Sequence, residues 1–141
     1  MQLDISEEAL KVMKEHAEEA YPNECCGFFY GVEDGKRNIE EARRVTNSKE
    51  GDQRRRFEVS PRDYMQAELY GEKSGKTLLG VYHSHPDHPA RPSEHDLKQA
   101  VPYFSYIILS VQKGKVADIT SWQLDENKAF AEEKIMNLIN L

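Results

Sequence analysis

The chain has 141 residues, 38% hydrophobic and 31% charged, which predicts a folded globular protein able to bury a core without cross-links. A formal net charge of -6 argues against a nucleic-acid binder that works by neutralising phosphates. Cys25 and Cys26 are adjacent and cannot close loops, the glutamate-rich start (Glu7, Glu8, Glu15, Glu18, Glu19) shows no secretory pattern, and no apolar run is long enough to span a membrane. A reducing, cytoplasmic setting without membrane attachment is the expectation.

In chain order, Leu3–Ile5 reads as a short strand. Ser6 then caps a helix whose Leu10, Met13, Ala17 and Ala20 recur at helical spacing, and Pro22 ends it. Cys25–Val32 is almost wholly apolar or glycine and reads as a strand buried on both faces, followed by a turn at Asp34-Gly35 and a strand over Ile39–Val45. The polar segment from Asn47 to Arg56 is a loop, and Phe57–Val59 a short strand. Ser60-Pro61 opens a second helix with Tyr64, Met65 and Leu69 as its expected core contacts, closed by Gly75. Thr77–His83 is a strand, Ser84–Pro92 a proline-punctuated loop, and Ser93 the start of a short helix. Tyr103–Val111 and Val116–Leu124 form a hairpin around Lys113-Gly114. A last helix capped by Asp125, with Phe130, Ile135 and Leu138 buried, completes an expected α/β sandwich with a mixed sheet in one domain over 1–141. Trp122 and Phe104 are assigned to the core.

Chemistry concentrates in one stretch: His83-Ser84-His85-Pro86, six residues, then Ser93-Glu94-His95-Asp96. Residues two apart on a strand share a face, so His83 and His85 can reach one ion. Pro86 stops the strand and is expected to leave the pair at an exposed edge. Asp96, in the first turn of the next helix, can be brought back over the strand end. Two imidazoles and a carboxylate leave one zinc position open for water, the layout of a catalytic site. Ser93-x-x-Asp96 also reads as a helix cap, and the two readings are compatible because a cap fixes where Asp96 points. Four of the five histidines lie between His83 and His95, in a window with three prolines.

This pattern resembles, without a gap, the JAMM motif of MPN-type metallopeptidases. The upstream glutamate that the motif requires is supplied by Asn23-Glu24-Cys25-Cys26-Gly27, leading into Phe28-Phe29-Tyr30-Gly31. The resemblance implies one Zn2+ per chain on His83, His85 and Asp96, Glu24 as general acid/base and Ser93 as an oxyanion partner. It implies an MPN-like fold: a mixed, curved sheet flanked by helices, with a cytidine-deaminase-like layout. A deaminase itself is disfavoured, because the His-x-Glu and Pro-Cys-x-x-Cys signatures are absent. The short chain is similar to compact bacterial and archaeal members, which implies cleavage after the C-terminal Gly-Gly of a ubiquitin-like or sulfur-carrier protein, the tail lying beside an exposed strand. The alternatives are a non-catalytic scaffold of the same fold and a peptidase for other small peptides. Cys25 and Cys26 read as buried hydrophobes. Asp87, His88 and His95 are candidates to orient the ligands, and Arg54-Arg55-Arg56 is a solvated loop or a substrate contact.

Overall fold

The computed structural model describes residues 2–137. Its elements are β1 (Gln2–Ile5), α1 (Glu7–Ala20), β2 (Cys26–Asp34), β3 (Lys36–Val45), α2 (Pro61–Ser74), β4 (Thr77–Pro86), α3 (Glu94–Gln99), β5 (Ser105–Gln112), β6 (Lys115–Leu124) and β7 (Phe130–Ile135). The strands run in the order β1-β3-β2-β4-β5-β6-β7, and β7 pairs back onto β1, with Leu3 opposite Ile135. The expected mixed, curved sheet is present, and its curvature goes as far as closure into a barrel. Closure joins the two ends of the sheet, although β3 beyond Ile39 and β6 before Ser121 pair on one side only.

Each helix covers its own core. The Ser6 hydroxyl accepts from the Ala9 N–H at 3.1 Å, and the α1 face of Ala9, Met13 and Ala17 is buried with Leu3, Ile39, Tyr82 and Ile107. Complete burial of a side chain such as Met13 contributes about 1.5–3 kcal/mol. Ser60 caps α2 by accepting from the Asp63 N–H, with Pro61 at the first position. Gly75 ends the helix at φ 72, a conformation that favours glycine. The α2 core comprises Ala67 with Phe28, Tyr30, Val81 and Tyr106.

β4 carries one extra residue against β2, since Phe29 opposes Gly80 while Tyr30 opposes Leu78. This bulge places Leu79 in the α1 core and Val81 in the α2 core. From there alternation sends His83 and His85 to the α2 side, and Tyr82 and Ser84 to the α1 side.

Several sequence expectations change. The segment assigned to a last helix is β7: Asp125 accepts from the Asn127 and Ala129 N–H groups and so builds a turn, and the following residues pair with β6. Non-local pairing overrides the helix propensity of Ala131-Glu132-Glu133-Lys134. Glu133 is buried in that strand, Phe130 and Ile135 are half-buried, and Leu138 lies outside the described residues. Phe57–Val59 is irregular, although Phe57 is buried. Met65 and Leu69 are exposed, because small Ala67 and Gly71 form the face of α2 that approaches the sheet. Phe104 is in the core and Trp122 is half-buried. Pro86 does not leave the histidines at a sheet edge. β4 runs between β2 and β5, with His83 opposite Cys26 on one side and Ile108 on the other.

Candidate metal centre

The site forms where β2 begins and β4 ends. Glu24 precedes β2, and the loop after β3 holds its backbone: the Glu24 N–H donates to the Gln53 carbonyl at 2.6 Å, and its carbonyl accepts from Asn47 Nδ2 at 3.2 Å. The Cys25 N–H donates to Ser84 Oγ at 2.9 Å, tying this turn to β4. The Glu24 side chain is buried, with Oε1 3.7 Å from His83 Nδ1.

Asp96 arrives from the other direction. Ser93 caps α3: its Oγ accepts from the Asp96 N–H at 3.0 Å, and its own N–H donates to Asp96 Oδ2 at 2.8 Å. The capping box therefore aims the carboxylate at β4. Asp96 Oδ2 lies 3.2 Å from His85 Nε2, and Oδ1 lies 3.7 Å from His83 Nε2. His85 Nδ1 is 2.9 Å from the Pro89 carbonyl. A proton on Nδ1 serves that contact and leaves Nε2 as a donor atom for a metal.

The donor set fits a metal. Glu24, His83 and His85 are all buried and offer ligand atoms within 4.8 Å of one another. Glu24 Oε1 and His83 Nδ1 are buried without a hydrogen-bond partner, a cost that a folded chain seldom carries without a reason. Bonds of about 2.0–2.1 Å in a tetrahedron imply ligand atoms about 3.3 Å apart. Asp96 Oδ2, 3.2 Å from His85 Nε2, matches that length, while its other oxygen, Oδ1, stands 3.7 Å from His83 Nε2.

Electrostatics point the same way. Burial works to raise the Asp96 pKa, but the His83 charge, the His85 contact and the Ser93 N–H outweigh it and hold the carboxyl well below its ordinary range. Burial works to lower the His85 pKa, and Asp96 and the Pro89 carbonyl outweigh it, leaving it raised. The Cys25 thiol is pushed up to about 12, chiefly by burial, and burial likewise raises Cys26. Both are free, buried thiols rather than nucleophiles.

The remaining candidates separate. Asp87 faces away from the cluster, accepting from the Tyr21 hydroxyl and the Lys113 N–H. His95 reaches the cluster indirectly: its Nε2 lies 3.2 Å from the Phe57 carbonyl, which also accepts from Gln99, and the Phe57 ring stacks on His83 at 4.4 Å. His88 and Arg55 are exposed and line the cleft beside the site, while Arg54 and Arg56 are exposed elsewhere on their loop. Sequence reasoning missed Asn47, Gln53, Phe57, Ser84, Pro89 and Arg91. Asn47 and Gln53 belong to the segment read as a polar loop and Phe57 to one read as a short strand, and their roles depend on where these pack.

With this geometry in view, comparison with known proteins is decisive. The family of prokaryotic homologs of the JAB domain matches residues 6–125. The chain belongs to this family. It is 27% identical over 113 residues to a desampylase of Pyrococcus furiosus, covering 80% of this chain and 75% of that one. It is 54% identical over 35 residues to a probable TtuB-protein conjugate cleaving protease of Thermus thermophilus, covering 23% of this chain and 24% of the other. It is 33% identical over 95 residues, 67% of this chain, to the tail tip assembly protein K of Escherichia phage N15, and the match spans only 35% of that protein. A solution structure of a protein from Desulfitobacterium hafniense, 32% identical, superposes with a TM-score of 0.82 over 95% of this chain and 91% of its own. The family membership read from the motif is thus shown. No helix among the described residues is long and apolar enough to cross a membrane.

Proposed function

We propose that this JAB-domain chain is a zinc peptidase acting after the C-terminal Gly-Gly of a ubiquitin-like or sulfur-carrier protein, one zinc per chain, in the cytoplasm. The observation that carries the reading is the buried convergence of His83, His85, Asp96 and Glu24, with a carboxylate oxygen and a ring nitrogen left unpartnered. His83, His85 and Asp96 are the assigned ligands, because Asp96 spans the two Nε2 atoms while Glu24 faces His83 from its other nitrogen. Zinc held by these residues would supply Lewis acidity, lowering the pKa of a water and polarising the scissile carbonyl. Glu24 takes the proton of the attacking water and passes it to the leaving amine as the C–N bond breaks. The Ser93 hydroxyl accepts from the Asp96 N–H and keeps its own proton to donate to the developing oxyanion. A non-catalytic scaffold has no use for the unpartnered Glu24 and His83 atoms.

The names of the Pyrococcus and Thermus relatives support a protein conjugate as substrate. The cleft of ≈ 470 Å³ that Glu24, His85 and Ser93 share is the entry for the tail. The experiment pairs bound-zinc measurement with cleavage of a carrier protein extended beyond Gly-Gly. Cleavage after the second glycine is expected, abolished by chelation and restored by zinc. A bulky residue in place of that glycine is expected to slow it sharply. Equal turnover of both substrates would refute the Gly-Gly assignment in favour of a broad peptidase.

A further inference from the structure

The cleft beside the metal centre joins Glu24, His85 and Ser93 to three side chains that the mechanism does not use: Arg55, His88 and Arg91. Arg55 belongs to the loop after β3 and Arg91 to the loop between β4 and α3, so the fold brings two distant guanidinium groups to one opening. Arg37, Arg43 and Arg44 each pair with a glutamate. Among the described residues, neither Arg55 nor Arg91 has a carboxylate within 4.0 Å or a side-chain hydrogen bond. Arg54, Arg56 and Arg62 also lack a carboxylate partner among those residues, but only Arg55 and Arg91 line this cleft. In a chain of net charge -6 with 25 acidic residues, two arginines without an acidic partner at the mouth of one cleft form a local excess of positive charge. The planar guanidinium fork matches a carboxylate.

We propose that Arg55 and Arg91 form a carboxylate subsite, so that the favoured leaving group carries a carboxylate close to the scissile bond. The inference rests on the peptidase reading above and names the substrate class of the same site. Two sources share this chemistry: the free α-carboxylate of a C-terminal amino acid or short peptide, and an acidic side chain at that position. The reaction is ordinary hydrolysis. Water oxygen bonds to the glycine carbonyl carbon, the C–N bond breaks, and the amine that leaves with a proton retains its carboxylate against the arginines. A lysine ε-amine released from an isopeptide has no such group adjacent to it.

The test measures binding, so it does not depend on turnover. Zinc-loaded full-length protein carrying Glu24→Gln is titrated with Gly-Gly-Ala as the free acid, Gly-Gly-Ala amide and Gly-Gly-Glu amide, with and without Arg55→Gln plus Arg91→Gln. Both arginines are exposed, so the substitutions leave the core intact. The acid is expected to bind about three- to tenfold tighter than the Ala amide, the advantage that one or two exposed ion pairs supply. The advantage should shrink as salt rises and collapse when both arginines are replaced. Gly-Gly-Glu amide binding like the acid selects a side-chain carboxylate, and binding like the Ala amide selects the terminal one. Equal binding of acid and Ala amide in the parent overturns the proposal. So does an acid preference that survives loss of both arginines, since the carboxylate is then held by the metal. Failure of the peptidase reading shows separately, as absent cleavage of Gly-Gly conjugates by zinc-loaded wild type.

Discussion

The two faces of β4 bury polar groups in opposite ways. On the α1 side, Tyr82 and Ser84 are fully buried and both are satisfied: the Tyr82 hydroxyl lies 2.7 Å from His16 Nδ1, and Ser84 Oγ accepts from the Cys25 N–H. On the α2 side, His83 and Glu24 are as deeply buried, yet His83 Nδ1 and Glu24 Oε1 have no hydrogen-bond partner. One strand thus carries a closed polar network on one face and an open donor set on the other. Burial alone does not mark a functional group; two unsatisfied atoms converging at one place do, whereas Glu133 Oε2 is unsatisfied alone on β7.

The sharpest break in that comparison comes from changing the open face. Glu24→Gln is expected to keep zinc near the wild-type level while turnover falls by about 10²–10⁴-fold, the range for loss of a general acid/base. Asp96→Ala should lose zinc and activity together. Metal analysis with single-turnover cleavage checks both, and loss of zinc from Glu24→Gln would make Glu24 a ligand.

A smaller effect is expected on the closed face. Ser84→Ala strands the buried Cys25 N–H, at a cost of about 1–3 kcal/mol. Denaturant unfolding should show that loss while the folded protein keeps its zinc. Parallel loss of zinc at unchanged stability would erase the distinction between the faces.

The smallest effect is a pH dependence at His16. Burial, with the charge of Arg44, lowers its pKa from 6.5 to about 4. Between these values the unfolded chain binds the proton and the folded chain does not, so the stabilisation is present above about pH 6.5 and is lost as pH falls towards 4. His16→Gln should flatten this slope. Thermal midpoints for the two proteins should converge as pH falls through that window, and superimposable slopes would remove His16 as the cause.

Much of this was legible in the chain because the informative contacts are local. His83 and His85 share a face by strand alternation, and Ser93 aims Asp96 three residues on by a helix cap, so four residues of the centre follow from rules spanning a few positions. The capped starts of α1 and α2 are local in the same sense. The misread segments failed where a distant partner decides. Ala131–Lys134 carries good helix formers, and only the presence of β6 and β1 on either side makes Phe130–Ile135 a strand. Met65 and Leu69 match a helical core pattern, yet α2 approaches the sheet through Ala67 and Gly71.

The sequence by itself determined the family, the identity of the candidate ligands and the pairing of Ser93 with Asp96, because each is written in residue type and short spacing. Tertiary structure alone decided that Glu24 stands 3.7 Å from His83, 59 positions away in the chain. It decided that Phe57 stacks on that imidazole and that Arg55 and Arg91 share one cleft. It also closed the sheet through β7 and buried a histidine pair that the proline suggested was exposed. The physical reason is common to all of these. Spacing fixes the direction of a side chain relative to its own backbone, but what lies at the end of that direction depends on which distant strand or loop packs there.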